Sequence, residues 1–96
     1  MNESQLKYRE IVEHDRFREE LAALEKDAKK ADEFIDGAKW VLTRGPSLAG
    51  TMIGKGPVWF LPIADSPIID AVVLYYAFDD DHVYFLSIQK ADPTKE

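Results

Sequence analysis

His14 and His82 are the only histidines of this 96-residue sequence, and they lie in separate segments. Histidine titrates closest to neutrality of all side chains, so it is the first type to weigh for acid–base chemistry. Neither has a second catalytic group in its own segment. His14 adjoins Asp15 at a helix start, and His82 follows Asp79-Asp80-Asp81. Three serial aspartates lack the spaced oxygen ligands of a calcium loop, and their short side chains suit a tight turn. Ser47, Ser66 and Ser87 sit in no nucleophile motif. Gly54-Lys55-Gly56 follows a helical pattern and precedes a strand pattern, the reverse of a phosphate loop. There is no cysteine, which excludes disulfides, thiolate metal sites and cysteine nucleophiles. No metal or cofactor is expected, and these residues assign no catalytic set.

Charge narrows the classes further. The formal net charge is -6. Residues 1–56 carry ten Lys and Arg against eleven Asp and Glu, whereas residues 57–96 carry two against seven. Tight nucleic-acid binding rests on a basic footprint, which the second half does not supply. The first residues are polar and contain no apolar stretch of the signal-peptide kind. The longest apolar runs, 58–64 and 71–78, fall short of the ~20 residues of a spanning helix. A cytoplasmic protein without a membrane span is expected. The length suits one domain, 1–96, with polar tails at 1–7 and 91–96.

The elements that must position these residues follow from periodicity. Residues 8–13 read as a short edge strand. Asp15 is the expected N-cap of a helix whose stripe is Phe17, Leu21, Leu24 and Ala28. A second helix carries Phe34, Ile35, Ala38, Val41 and Leu42. A break at Lys29-Lys30-Ala31, with Asp32 as cap, makes the pair a helical hairpin. Gly45-Pro46 ends it, the glycine taking a left-handed position. Residues 47–57 read as a loop. Three strands follow at 58–63, 69–78 and 83–89. The middle one is apolar on both faces and belongs at the centre of the sheet. In the last, Val83, Phe85 and Ser87 alternate against Tyr84, Leu86 and Ile88. The expected fold class is α+β, a short strand and helical hairpin packed on an antiparallel sheet with a C-terminal three-stranded meander.

Asp15-Arg16-Phe17, Arg44-Gly45-Pro46 and the stretch from Val73 through the acidic turn to Val83 resemble the RelE/ParE toxin superfamily of bacterial type II toxin–antitoxin systems, which includes plasmid stabilisation proteins. The resemblance spans residues 8–90. It implies a toxin component partnered by an antitoxin. RelE-like members cut mRNA on the ribosome, and ParE-like members poison DNA gyrase, so ribosome with mRNA, or gyrase, is the implied target. The ribonuclease branch carries an arginine in the middle meander strand and basic or aromatic residues after the last. The matching positions here are Val72 and Val73, then Gln89, Lys90 and Ala91. The resemblance therefore implies a toxin lacking that branch's arginine.

Cleavage through a 2′-hydroxyl needs proton donors and acceptors and positive charge for the phosphate. Lys55 and Lys90, flanking the first and last meander strands, are the candidate RNA phosphate contacts. The strand aromatics Trp59, Tyr75 and Tyr84 are candidates for a protein interface, because bases stacked on them would want cations nearby. They fit an antitoxin or self-association. A non-catalytic protein-binding or dimerising module of the same fold is the alternative.

Overall fold

The computed structural model describes residues 8–64 and 70–91. The elements run β1 (Glu10–Glu13), α1 (Asp15–Leu24), α2 (Ala28–Arg44), α3 (Pro46–Ala49), β2 (Thr51–Met52), β3 (Trp59–Ile63), β4 (Val72–Phe78) and β5 (His82–Lys90). The strands form one five-stranded sheet in the order β1-β5-β4-β3-β2. Neighbours within the meander are antiparallel, as expected. β1 joins β5 in parallel, so the sheet is mixed. The helices return the chain to the sheet at β2, and the three antiparallel reversals β2–β3, β3–β4 and β4–β5 then leave β5 running the same way as β1.

The helical hairpin forms, with its break earlier than the charge pattern suggests. α1 starts at Asp15, and His14 occupies the capping position without a side-chain cap. Asp15 is thus not the cap. Its carboxylate lies in the first turn, where it meets the positive end of the helix dipole. α2 is capped by Asp27, whose Oδ1 accepts from the N–H of Lys29 at 3.0 Å and of Lys30 at 3.3 Å. Asp32 is inside α2, past the free amides of the first turn, and has none to cap. Lys29-Lys30-Ala31 is therefore no break: it belongs to the first turn of α2.

Gly45 is not left-handed. With φ -154° it links α2 directly to α3, and Pro46 stands at the first helical position, where its missing N–H costs nothing. The stretch 47–57 is accordingly more than a loop. It contains most of α3, the short strand β2 and a turn in which Gly54 and Gly56 have φ of +57° and +84°. That is the conformational reason for the glycines around Lys55.

The core lies between the helices and one sheet face. Phe17, Leu21, Ala31, Ile35, Ala38 and Leu42 meet Val72, Leu74, Tyr76, Val83, Phe85 and Ile88. Phe17 packs edge-on to Phe85, ring centroids 5.2 Å apart, and its truncation to alanine would cost about 3–5 kcal/mol. β4 is central, as its two apolar faces require.

The alternation expected in β5 breaks. Tyr75 pairs with Ser87 but Tyr76 pairs with Phe85, leaving Leu86 as an extra residue. After this bulge Ser87 and Ile88 are buried in succession. Such a bulge reverses the in–out order. At the strand's end Ala91 donates its N–H to Ala71 at 3.0 Å, so the ladder reaches one residue into the expected tail. Residues 1–7 and 92–96, and Ile69 at the expected start of the middle strand, lie outside the described residues.

Candidate functional site

The registers divide the candidate residues between the two faces of the sheet. Trp59 pairs with Tyr76, and Leu61 with Leu74, on the helix-covered face. Side chains alternate along strands, so Phe60, Pro62, Val73, Tyr75 and Ala77 look the other way. Tyr84, paired with Ala77 and with Val12 of β1, joins them. Among the described residues no helix covers this open face. Among the described residues the three central strands place no Lys or Arg on it. Of the three candidate interface aromatics, Tyr75 and Tyr84 therefore share the open face. Trp59 does not: it packs against Phe78, ring centroids 5.3 Å apart, on the other side.

The two candidate phosphate contacts are not brought together. Lys55 lies in the β2–β3 turn, next to the start of β3. Lys90 closes β5 opposite Val72, exposed, with its Nζ 3.9 Å from Asp70. Val72 and Tyr76, the partner of Trp59, lie four positions apart on β4, a rise of roughly 13 Å. The lysines thus mark opposite ends of the sheet.

What the fold does unite is the pair of histidines. β1 runs parallel to β5, which brings His14 and His82 to either side of Tyr84. The ring centroids are 6.3 Å and 5.6 Å from that of Tyr84. Tyr84 donates its hydroxyl to Asp79 Oδ2 at 2.9 Å. Asp79 Oδ1 accepts from the N–H groups of Asp81 and His82, at 2.8 and 2.7 Å. The Asp81 amide, followed by the Tyr84 hydroxyl, holds the Asp79 carboxyl down at about 2. In return the hydrogen bond to Asp79, with some burial and the charges of Asp79 and Asp81, raises the Tyr84 phenol. His82 lies 3.4 Å from Asp79 and 3.7 Å from Glu10. The cluster is acidic. It suits a cation or a hydrogen-bond donor better than a phosphate. The described residues contain no group of three side chains able to hold a metal ion.

A second feature lies along α2. Its outer flank and the edge of β3 enclose an apolar groove of about 340 Å³, lined by Phe34, Gly37, Ala38, Val41, Leu61 and Ile63. Val41 also lines an adjoining hollow of about 340 Å³ with Trp40, Arg44, Leu48 and Ala49. Trp40 is 62% exposed and Leu48 91%, unusual for side chains of this size. The Arg44 guanidinium lies 4.0 Å from the centroid of Trp40 and 4.3 Å from that of Tyr8. Its Nη1 also donates to the Trp40 carbonyl at 2.9 Å. Arg44 therefore both ends the helix and carries the only charge among the described residues of this apolar strip.

Sequence reasoning missed Trp40 and Leu48. The available signal was Trp40 off the apolar stripe, four residues before Arg44. The meeting of the histidines left no local signal, because strand pairing between residues 72 positions apart creates it.

No protein-family model and no curated protein matches the sequence. Among solved structures the chain is similar to one from the crystal structure of the toxin–antitoxin complex RelBE2 of Mycobacterium tuberculosis. The TM-score is 0.68 at 17% identity, over 88% of this chain and 99% of that one. With the helical hairpin over one sheet face and the meander beside the parallel first strand, the chain has the RelE/ParE-like fold.

Proposed function

We propose that this chain is the toxin component of a toxin–antitoxin pair, one that acts by binding a protein and not by cutting RNA. The fold supports the first half, since the similar solved structure is a toxin–antitoxin complex. The observation that carries the second half is the open sheet face. It offers Phe60, Val73, Tyr75, Ala77 and Tyr84 without a Lys or Arg among the described strand residues, and its rim is the acidic Glu10–Asp79 cluster. Phosphoryl transfer draws on cations placed around the phosphate, and Lys55 and Lys90 stand too far apart to clamp one phosphate between them.

The antitoxin is assigned to the strip along α2. An amphipathic segment with apolar anchors for the Phe34–Val41 groove, and a carboxylate facing Arg44, complements it in shape and charge. The pair works in the cytoplasm, where a gyrase-like or ribosomal protein target is found.

Expression without a partner should arrest growth, and co-expression with the antitoxin should relieve the arrest. Unimpaired growth at verified high levels of soluble protein would sink the proposal. Ribosome-programmed mRNA should remain intact in the purified toxin's presence. If it is cut, and Lys90→Ala or Lys55→Ala slows the cutting, the ribonuclease reading replaces this one. A second reading, a dimerising module without toxicity, is favoured by the uncovered Tyr75 and Tyr84. It predicts a dimer in light scattering that Tyr75→Glu dissociates.

A further inference from the structure

We propose that Arg44 is the carboxylate-reading residue of the strip along α2, and that it reads an Asp or Glu side chain on an amphipathic helix of the antitoxin. The inference rests on the antitoxin's placement on that strip. The Arg44 guanidinium lies over two rings, 4.0 Å from the centroid of Trp40 and 4.3 Å from that of Tyr8. Its Nη1 donates to the Trp40 carbonyl at 2.9 Å. A guanidinium has five N–H donors in a planar fork, and one of them is spent on that carbonyl. The rings and the bond hold the fork in place, so little side-chain freedom is left to lose when a partner arrives. The remaining donors suit a carboxylate, which such a fork takes with two parallel bonds. No Asp or Glu among the described residues pairs with it.

The surroundings select the partner. Phe34, Val41, Leu61, Ile63, Trp40 and Leu48 line the groove and hollow beside Arg44, and no second cation lines them. A nucleic-acid backbone would meet one charge where its binding rests on several. A carboxylate flanked by apolar side chains matches the strip in both respects.

The geometry also favours a helix over an added strand. β2 covers only Trp59 and Phe60 of β3. In the stretch beyond, Pro62 carries no N–H for a further strand to use. On the other side of the groove Gly37 lies inside α2, where glycine weakens a helix. A Cβ there would meet no atom within 4 Å, so a notch stands between Phe34 and Val41. Gly37 and Arg44 are seven residues apart, roughly 10 Å along the axis. A helix laid beside α2 can drop a large side chain into the notch and bring a carboxylate to Arg44, its own two residues also about two turns apart.

The test is selection of displayed helical peptides on the whole chain, with apolar anchors fixed at i, i+3, i+4 and i+7 and the other positions randomised. Asp or Glu should be enriched at one position, about two turns from the anchor in the notch. A selected peptide should bind roughly ten- to a hundredfold tighter than its twin with the acid changed to the amide, the scale of a charged hydrogen bond. That ratio should fall to about one in Arg44→Gln and recover only in part in Arg44→Lys. Trp40 and Tyr8 act as positioning residues: Trp40→Ala and Tyr8→Ala should lower the ratio, and Trp40→Phe and Tyr8→Phe should restore it. Peptides that bind on the strip are lost with Gly37→Leu, which fills the notch without lowering the thermal midpoint. Strip-bound peptides with no acidic preference, or with one that survives Arg44→Gln, would overturn the carboxylate reading alone. Peptides indifferent to both Gly37→Leu and Leu48→Asp, or failure to select any binder, would overturn the antitoxin's placement and the carboxylate reading with it.

Discussion

The Tyr76 hydroxyl, at the middle of the sheet, donates to the carbonyl of Pro46 at 2.6 Å, across 30 residues of sequence. It also accepts from the Gly50 N–H, while burial pushes the phenol up to about 12. One buried side chain thus holds both ends of α3, which presents Leu48. Tyr76→Phe leaves two backbone groups unpaired and should cost about 1–3 kcal/mol in urea denaturation. Because the folded-state value is raised, the phenol's contribution is complete below the ordinary value of 10.0 and lost as pH rises through about 12. Gly50→Ala should be at least as damaging, since a Cβ there would overlap the Tyr76 hydroxyl and come within 2.6 Å of the Phe60 carbonyl.

Asp79 sets the acid side of stability. Its carboxyl is held at about 2 by the Asp81 amide and the Tyr84 hydroxyl, below the ordinary 3.8. A depressed carboxyl stabilises the fold above the ordinary value, and that contribution is lost as pH falls through the folded value. The urea midpoint should therefore drop between about pH 4 and pH 2. Asp79→Asn should flatten that drop, and an unchanged profile in the variant would remove Asp79 from the account.

Glu20 ties α1 to the bulge in β5. Its Oε1 accepts from Ser87 Oγ at 2.5 Å and from the Ile88 N–H at 3.0 Å. Burial raises its carboxyl, but the bonds from Ser87, Ile88 and Arg16 outweigh it, and the net shift is downward. Glu20→Ala should cost about 1–3 kcal/mol by exposing the Ile88 amide of the bulge to an empty site. Ser87→Ala alone should cost less, because the Ile88 bond remains.

Trp40 and Leu48 separate binding from folding. Both are exposed, so Leu48→Asp should move the thermal midpoint very little. Trp40→Ala should cost only the lost stacking on Arg44, about 0.5–1 kcal/mol. The proposed antitoxin complex should weaken by about 2 kcal/mol or more with either change, as truncation of a central interface anchor does. Calorimetric titration of the co-purified antitoxin measures this. Unchanged affinity would move the docking surface elsewhere.

Three kinds of feature differ in how far the chain itself disclosed them. The stripe Phe17, Leu21 and the doubly apolar β4 disclosed the hairpin and the centre of the sheet, because burial imposes period 3.6 on helices and period 2 on strands. The cap at Asp27 and the bulge at Leu86 escaped. A cap depends on which carboxylate reaches the free amides, and a bulge on how two strands share a register. Lys55 and Lys90 looked alike as lysines flanking strands, yet their separation depends on the direction in which each strand runs.

The sequence alone determined the helical half, the meander, the acidic balance and the absence of thiol chemistry, since each depends on residue type and spacing along one segment. The tertiary structure decided which residues meet. The parallel return of β1 beside β5 set His14 and His82 around Tyr84, although strand pairing over some 70 residues has no local signature. It also decided that Tyr75 and Tyr84 share an open face while Trp59 turns to the core. Two-residue alternation assigns the faces, but only packing of the helices chooses which one is covered.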